Sequence, residues 1–279
     1  MEWLMREDYL RIDNKLLFCR HNGVDPKRIS ILFVHGLGDS GLSFEDPFRD
    51  DRFGQFNLIV PDLIGYGRSS GAADIGDYGY EAHVGRLWRL IKELGLKELI
   101  VVGHSMGGDL TTLLCASDKH KIIKKYVSIE GDVTQYDLTI SRAAVKAHDK
   151  GNFEKWFEND FKEKLVWGKL GELRSGRLYY VGVSMCRREA FLANALELVR
   201  RNTSLDGKYK SEIGQIFLSL KIPKLFCYGT KSLARSTLKF LEENDIAKRA
   251  FEGAGHCPMT DASGEFYDHL FQYITGSGL

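Results

Sequence analysis

No stretch of this chain approaches the run of about 18 apolar residues that a helix needs to span a bilayer. The first fifteen residues, MEWLMREDYLRIDNK, are charged from the second position and lack the apolar centre of an export leader. Charge of one sign is missing as well: 39 Lys and Arg face 38 Asp and Glu, so nothing global invites nucleic acid or an anionic surface. Cysteine is sparse and shows no metal-ligand spacing. The odd number of Cys19, Cys115, Cys186, Cys227 and Cys257, and their mostly apolar neighbours, read as reduced thiols of a cytoplasmic protein. There is no internal repeat and no low-complexity tract. The expectations that follow are no nucleic-acid partner, no membrane span, no metal and no cofactor; a homodimer is left open.

What is present is a chain of 279 residues, long enough to bury a substantial core as one domain with an insertion. Its pattern is clearest at 99–116, LIVVGHSMGGDLTTLLCA. Four apolar residues end at Gly103-His104-Ser105-Met106-Gly107, and a largely apolar helical run follows. This is G-x-S-x-G in the strand, turn and helix context its mechanism requires. A turn that tight strains its central residue and leaves no room beside it, which suits glycine at 103 and 107. The other reading of the same residues is a glycine-rich bend whose serine only caps the helix.

Strand and helix units alternate around this stretch. The segment 9–21 reads as a strand pair turning at Asp13-Asn14, and 29–34 as a short strand covered on both faces. That strand runs into His35-Gly36-Leu37-Gly38, a loop whose amides are free to point at an oxyanion. A short helix is expected within 42–51, a strand at 56–61, and a helix at 80–94 from the 3.6-residue recurrence of Val84, Leu87, Trp88, Ile91 and Leu94. A strand at 122–130 ends at Glu130-Gly131-Asp132.

The alternation then stops until about residue 220. Aromatic helical stretches at 152–165 and 187–201, joined by the Gly-rich 168–182, suggest a helical cap over the sheet; further layer helices are the alternative. The alternation resumes with a strand at 223–229, a helix at 233–243, a strand at 247–251 and a closing helix at 264–274. The expected fold is thus α/β, a mostly parallel central sheet flanked by helices. The core would comprise 1–132 and 221–279, with a cap at 133–220 inserted after the sixth strand.

Serine needs a base within hydrogen-bond reach. His256, in the loop between the last strand and the last helix, is the candidate best placed to lean across the strand ends toward Ser105. His104 is expected to face the interior and His35 to order the oxyanion loop, both near the pocket with Gly36. His83, His120 and His148 fall on helical or surface-like stretches. The ring also needs a carboxylate to fix its tautomer. After the strand at 223–229 come Thr230, Lys231, Ser232, Leu233, Ala234 and Arg235, with no acid. Glu130 is the first alternative and Asp132 the second, since adjacent strand ends lie only about 5 Å apart. The backbone amides of Leu37 and Met106 would form the oxyanion hole.

Together these residues resemble the α/β-hydrolase superfamily, in particular its capped members acting on small molecules. His35-Gly36-Leu37-Gly38, the run Asp62-Leu63-Ile64-Gly65-Tyr66-Gly67-Arg68-Ser69, Gly103 to Gly108 and Gly255-His256 fall in the order that family has them. The resemblance implies an acyl-enzyme at Ser105 and water activation by His256. It also implies a departure, because the acid usually stands near Ser232; some lipases and dehalogenases place it after the strand before the cap, where Glu130 is. Epoxide hydrolases and haloalkane dehalogenases use an aspartate nucleophile, which position 105 does not supply. The expected activity is hydrolysis of a small, hydrophobic carboxylic ester or lactone. Carbon-carbon bond hydrolysis, cofactor-free haloperoxidation and ligand binding with weak turnover are the alternatives.

Overall fold

The computed structural model describes residues 5–276. Residues 1–4 and 277–279, and with them the start of the charged N-terminal stretch read above, lie outside the described residues. Eight strands form one sheet: β1 Arg6–Ile12, β2 Lys15–His21, β3 Ser30–Val34, β4 Asn57–Pro61, β5 Leu99–His104, β6 Ile123–Ile129, β7 Lys224–Gly229 and β8 Lys248–Phe251. Their order is β1-β2-β4-β3-β5-β6-β7-β8, antiparallel at β1-β2 and β2-β4 and parallel elsewhere. Asp13 and Asn14 both adopt positive φ, 51° and 58°, which is the backbone a two-residue hairpin turn demands.

The middle strands are apolar on both sides because both faces are covered. Leu32, Val34, Leu99 and Val101 join one core cluster, and Ile31, Phe33, Ile100 and Val102 join the other, as alternation along a strand requires. Helix α1, Tyr80–Glu93, buries Val84, Leu87, Leu90 and Ile91 in the first cluster. It ends where Gly95 turns to φ 63°, with the Leu96 N–H bonded to Ile91 O at 3.0 Å. Helix α2 is Met106–Ala116. The segment expected to be one short helix at 42–51 is instead a chain of 3-10 turns, Gly41–Phe44, Asp46–Arg49 and Asp51–Gln55. Pro47 sits at the start of the second, the position that tolerates it.

After β6 come α3 Thr139–Asp149, α4 Phe153–Lys155, a π-helix Trp156–Leu170, α5 Arg174–Met185, α6 Arg188–Asn202 and α7 Glu212–Ser219. The helices α4 and α5, with the π-helix between them, form a cap. Its centre is aromatic: Phe153, Trp156, Phe157, Phe161 and Phe191 pack ring against ring, with Trp156 stacked on Phe161 at 5.2 Å. The Gly-rich 168–182 is therefore not a connector. Most of it is α5, whose Gly182 lets the helix lie on the loop after β3: a Cβ there would stand 2.9 Å from Gly38 O. Helix α7 lies on the sheet, where Phe217 meets Tyr126 and Phe226. The chain closes with α8 Arg235–Glu243, α9 Pro258–Asp261 and α10 Ser263–Thr275. No helix among the described residues is long and apolar enough to cross a membrane.

Candidate active site

The site is built from loops that leave the carboxyl ends of β3, β5, β6, β7 and β8. At the end of β5 the chain turns so sharply that Ser105 takes φ 52° and ψ −125°, a conformation costing a non-glycine residue about 1–3 kcal/mol. Glycine on either side is a steric necessity. A Cβ on Gly103 would lie 2.2 Å from Thr111 Oγ1, and one on Gly107 would lie 2.1 Å from Val34 O. The turn is fastened by the Ser105 N–H to Ile129 O, 2.9 Å, and the Gly108 N–H to Ser105 O, 2.6 Å. Met106 opens α2, where the first amides of a helix have no partner within it.

The next loop repeats the device. Glu130 follows β6 with φ 45°, and its N–H is tied to Cys227 O on β7 at 3.0 Å. This turns its buried carboxylate toward the loop after β8, where Oε2 accepts from His256 Nδ1 at 2.7 Å. A carboxylate only accepts, so the ring proton sits on Nδ1 and Nε2 keeps its lone pair. The other oxygen, Oε1, accepts from the Gly229 N–H at 2.8 Å and from the Ser232 hydroxyl. The His256 ring opens on the cavity, with 46% of its side chain accessible. Burial opposes its imidazolium, yet the Glu130 charge and hydrogen bond outweigh that, with Asp137 and Asp39 adding, so its pKa is raised.

Ser105, His256, Glu130, Asp132, Gly36, Leu37 and His104 line one cavity of about 430 Å³, large enough for a small molecule. Its apolar wall includes Ile140, Leu165, Leu170, Leu173 and Leu198. His35 stands off that wall. Its Nε2 accepts from the Leu63 N–H at 3.0 Å, its Nδ1 donates to Gly36 O at 2.9 Å, and burial lowers its pKa. His104 is buried and neutral, burial being the main cause, and its Nε2 donates to His256 O at 2.9 Å. His83 lies on α1, a helical stretch as expected, but is 1% exposed, its ring close to Tyr66, and burial drives its pKa down to about 3.

The run 62–69 serves the site by holding this corner of the sheet. The buried Asp62 accepts from Arg20 Nη1, the Gly41 N–H and the Arg68 N–H, each at 2.8 Å. Two participants could not be read from the sequence. Ser232 stands where an acid was sought and instead donates to Glu130 after β6. Tyr179 on α5 donates from its hydroxyl to Leu37 O at 2.9 Å, joining the cap to the loop after β3. The aromatic content of the cap was the one available signal for it. No cluster of His, Cys, Asp and Glu among the described residues could hold a metal ion.

A family model described as alpha/beta hydrolase fold matches residues 29–217. A magnesium-chelatase 30 kDa subunit of Rhodobacter capsulatus is 36% identical over 84 residues, 30% of this chain and 29% of that protein. The chain thus covers less than a third of the length of that relative. A putative esterase/lipase 2 of Mycoplasma pneumoniae is 21% identical over 89% of this chain and 90% of its own. Among solved structures, a mutant of the N-acyl homoserine lactonase AidH with N-hexanoyl homoserine superposes with a TM-score of 0.76 at 18% identity, covering 99% of this chain and 98% of that one.

Proposed function

The chain belongs to the alpha/beta hydrolase fold family, and we propose that within it the protein is a serine hydrolase of a small carboxylic ester or lactone with a hydrophobic acyl part. In this reading Ser105 Oγ attacks the carbonyl carbon while His256 Nε2 takes its proton. Glu130 keeps the ring in the required tautomer and stabilises the imidazolium. The Leu37 and Met106 amides receive the oxyanion, and His256 then hands the proton to the leaving alkoxide. The acyl-enzyme is released by a water that His256 deprotonates. For a lactone, the leaving group stays tethered to the acyl chain.

The observation that carries this is the Glu130–His256 hydrogen bond in the cavity that Ser105 also lines. The apolar wall supports a hydrophobic acyl group, and the likeness to an esterase/lipase and a lactonase supports this bond class. A serine-directed fluorophosphonate is expected to label Ser105, located by mass spectrometry of the digest. S105A should lose the label and lower turnover of p-nitrophenyl butyrate by about 10⁴ or more. Folded wild-type protein that takes up no label at Ser105 would refute the reading.

A further inference from the structure

Most polar side chains on the cavity wall are already bonded inside the protein. Glu130 is held by His256, Gly229 and Ser232. Asp39 accepts from the Ser40 N–H and the Ser43 hydroxyl, each at 2.8 Å. Asp137 accepts from the Thr134 N–H at 2.9 Å and the Thr237 hydroxyl at 2.5 Å, and Asp261 from the Ser175 hydroxyl at 2.8 Å. The Tyr179 hydroxyl goes to Leu37 O. Asp132 Oδ2 has no partner, but it is sealed inside the protein and does not face the cavity.

Three hydroxyls are the exception, and one short segment carries them. Tyr136, Thr139 and Ser141 all line the cavity, and the hydroxyl of each has no hydrogen-bond partner among the described residues. Tyr136 and Thr139 are exposed. Ser141 is inside: it is 4% exposed, yet its hydroxyl is not enclosed as Asp132 Oδ2 is. A serine in the first turn of a helix ordinarily bonds to nearby main chain, and on α3 this one does not. A buried hydroxyl that meets a cavity is completed by what occupies it. We propose that segment 136–141 binds a neutral polyol, and that the substrate is an ester whose alcohol half carries several hydroxyls and whose acyl half is apolar.

A hydroxyl both donates and accepts, so a row of them matches a partner with the same two capacities. A carboxylate or phosphate would call for lysine or arginine, and neither lines the cavity among the described residues. An ammonium would call for a carboxylate turned to the cavity and still in need of donors, and those of the wall are met by the protein. Ile140, between Thr139 and Ser141, also lines the cavity and suits the carbon-bound hydrogens of a polyol. Leu165, Leu170 and Leu173, from the π-helix and the turn before α5, are left for the acyl chain. In the acyl-enzyme mechanism the Ser105 Oγ–acyl bond forms as the bond from acyl carbon to polyol oxygen breaks. That oxygen takes the proton from His256 Nε2, and water then frees the acid.

The inference rests on the proposed hydrolase reading, and the experiment separates the two. Release of hexanoic acid is followed by titration at constant pH from glucose monohexanoate, glycerol monohexanoate and propyl hexanoate, which share one acyl group. Wild type is expected to hydrolyse at least one of the polyol esters with a kcat/KM about tenfold or more above that for propyl hexanoate, and the better of the two gives the size of the polyol. S141A should bring that ratio to within about twofold of one. No preference for either polyol ester in protein that labels at Ser105, or a preference that S141A leaves intact, overturns the polyol surface alone. Absence of label and turnover overturns the hydrolase reading instead. The surface is then judged by calorimetry of hexyl glucoside and hexylglycerol, which hold no ester. Binding of either that S141A weakens by about fivefold or more supports it; binding of neither, or binding that S141A leaves unchanged, overturns it.

Discussion

The loops at the sheet's carboxyl edge and the helices above them are held by different means. Ser105 and Glu130 each occupy a positive-φ turn, and each has its N–H tied to the neighbouring strand, so their placement is fixed within a few residues of a strand end. The cap and the adjoining α6 are fixed by side chains reaching across the chain: Tyr179 of the cap to Leu37, and Asn194 and Asn202 of α6 to Tyr66 and Asp109, over an aromatic centre. The placement of Ser105 and Glu130 is thus set by backbone, and the shape of the cavity by long-range packing. Substitutions below should act on rate, whereas those between the layers should act on both rate and stability.

The largest expected effect that sharpens this contrast comes from E130Q. Removing the charge that orients His256 should lower kcat/KM on a neutral ester by about 10³, more than D132N lowers it on the same ester. The pH profile supplies the sign. In the proposed mechanism His256 acts as a base only when neutral, so its raised pKa places the acid limb of wild type above pH 6.5. With Glu130 neutralised, burial dominates and the limb should move to lower pH. A limb that stays put in E130Q but moves in D132N would assign the acid to Asp132.

That contrast also explains what could be read in advance. The eight strands, the order of the loops and the mostly parallel sheet follow from short apolar runs and glycine-rich turns, both local signals. That the carboxylate bonded to His256 comes after β6 rather than β7 could be expected by elimination, because 230–235 holds no acid, which left Glu130 and Asp132. Its partnership with Ser232 could not, since their contact spans 102 positions. Likewise α5 hides in a Gly-rich stretch because its glycines serve close packing, Gly182 on the loop after β3 and Gly176 on Leu170, rather than flexibility. His83 carries no sequence mark of burial, since a polar residue on a strongly amphipathic helix is ordinarily on the wet face.

The junction of the two layers offers a middle-sized effect. Y179F deletes the hydroxyl that holds Leu37 O, leaving that carbonyl without its cap partner. We expect kcat to fall about tenfold with KM changed less than twofold, because a loosened oxyanion amide weakens the transition state more than the ground state. The lost hydrogen bond, about 1 kcal/mol, should also lower Tm by about 3 °C. Unchanged kcat would mean that the loop is positioned without the cap.

The smallest effect is read in stability at the point where α6 meets the loop after β6. Asp109 and Asp132 face each other there, Asp109 raised to about 8 and Asp132 raised well above the usual carboxylate range, burial being the first cause for both. Below about pH 4 both carboxyls are protonated folded or unfolded, so they leave stability unaffected. As pH rises from there, the unfolded chain releases protons that the folded chain retains, so folding becomes progressively less favourable until the folded pKa is passed. Wild type should therefore lose Tm between pH 5 and 8. D132N removes one of the two titrating groups, and its Tm relative to wild type should rise with pH, reaching an advantage of about 2 °C at pH 8 and less at pH 5. A pH-independent difference would mean that the Asp132 carboxyl reaches solvent, and that α6 does not close over the loop as tightly as the Asn202–Asp109 hydrogen bond requires.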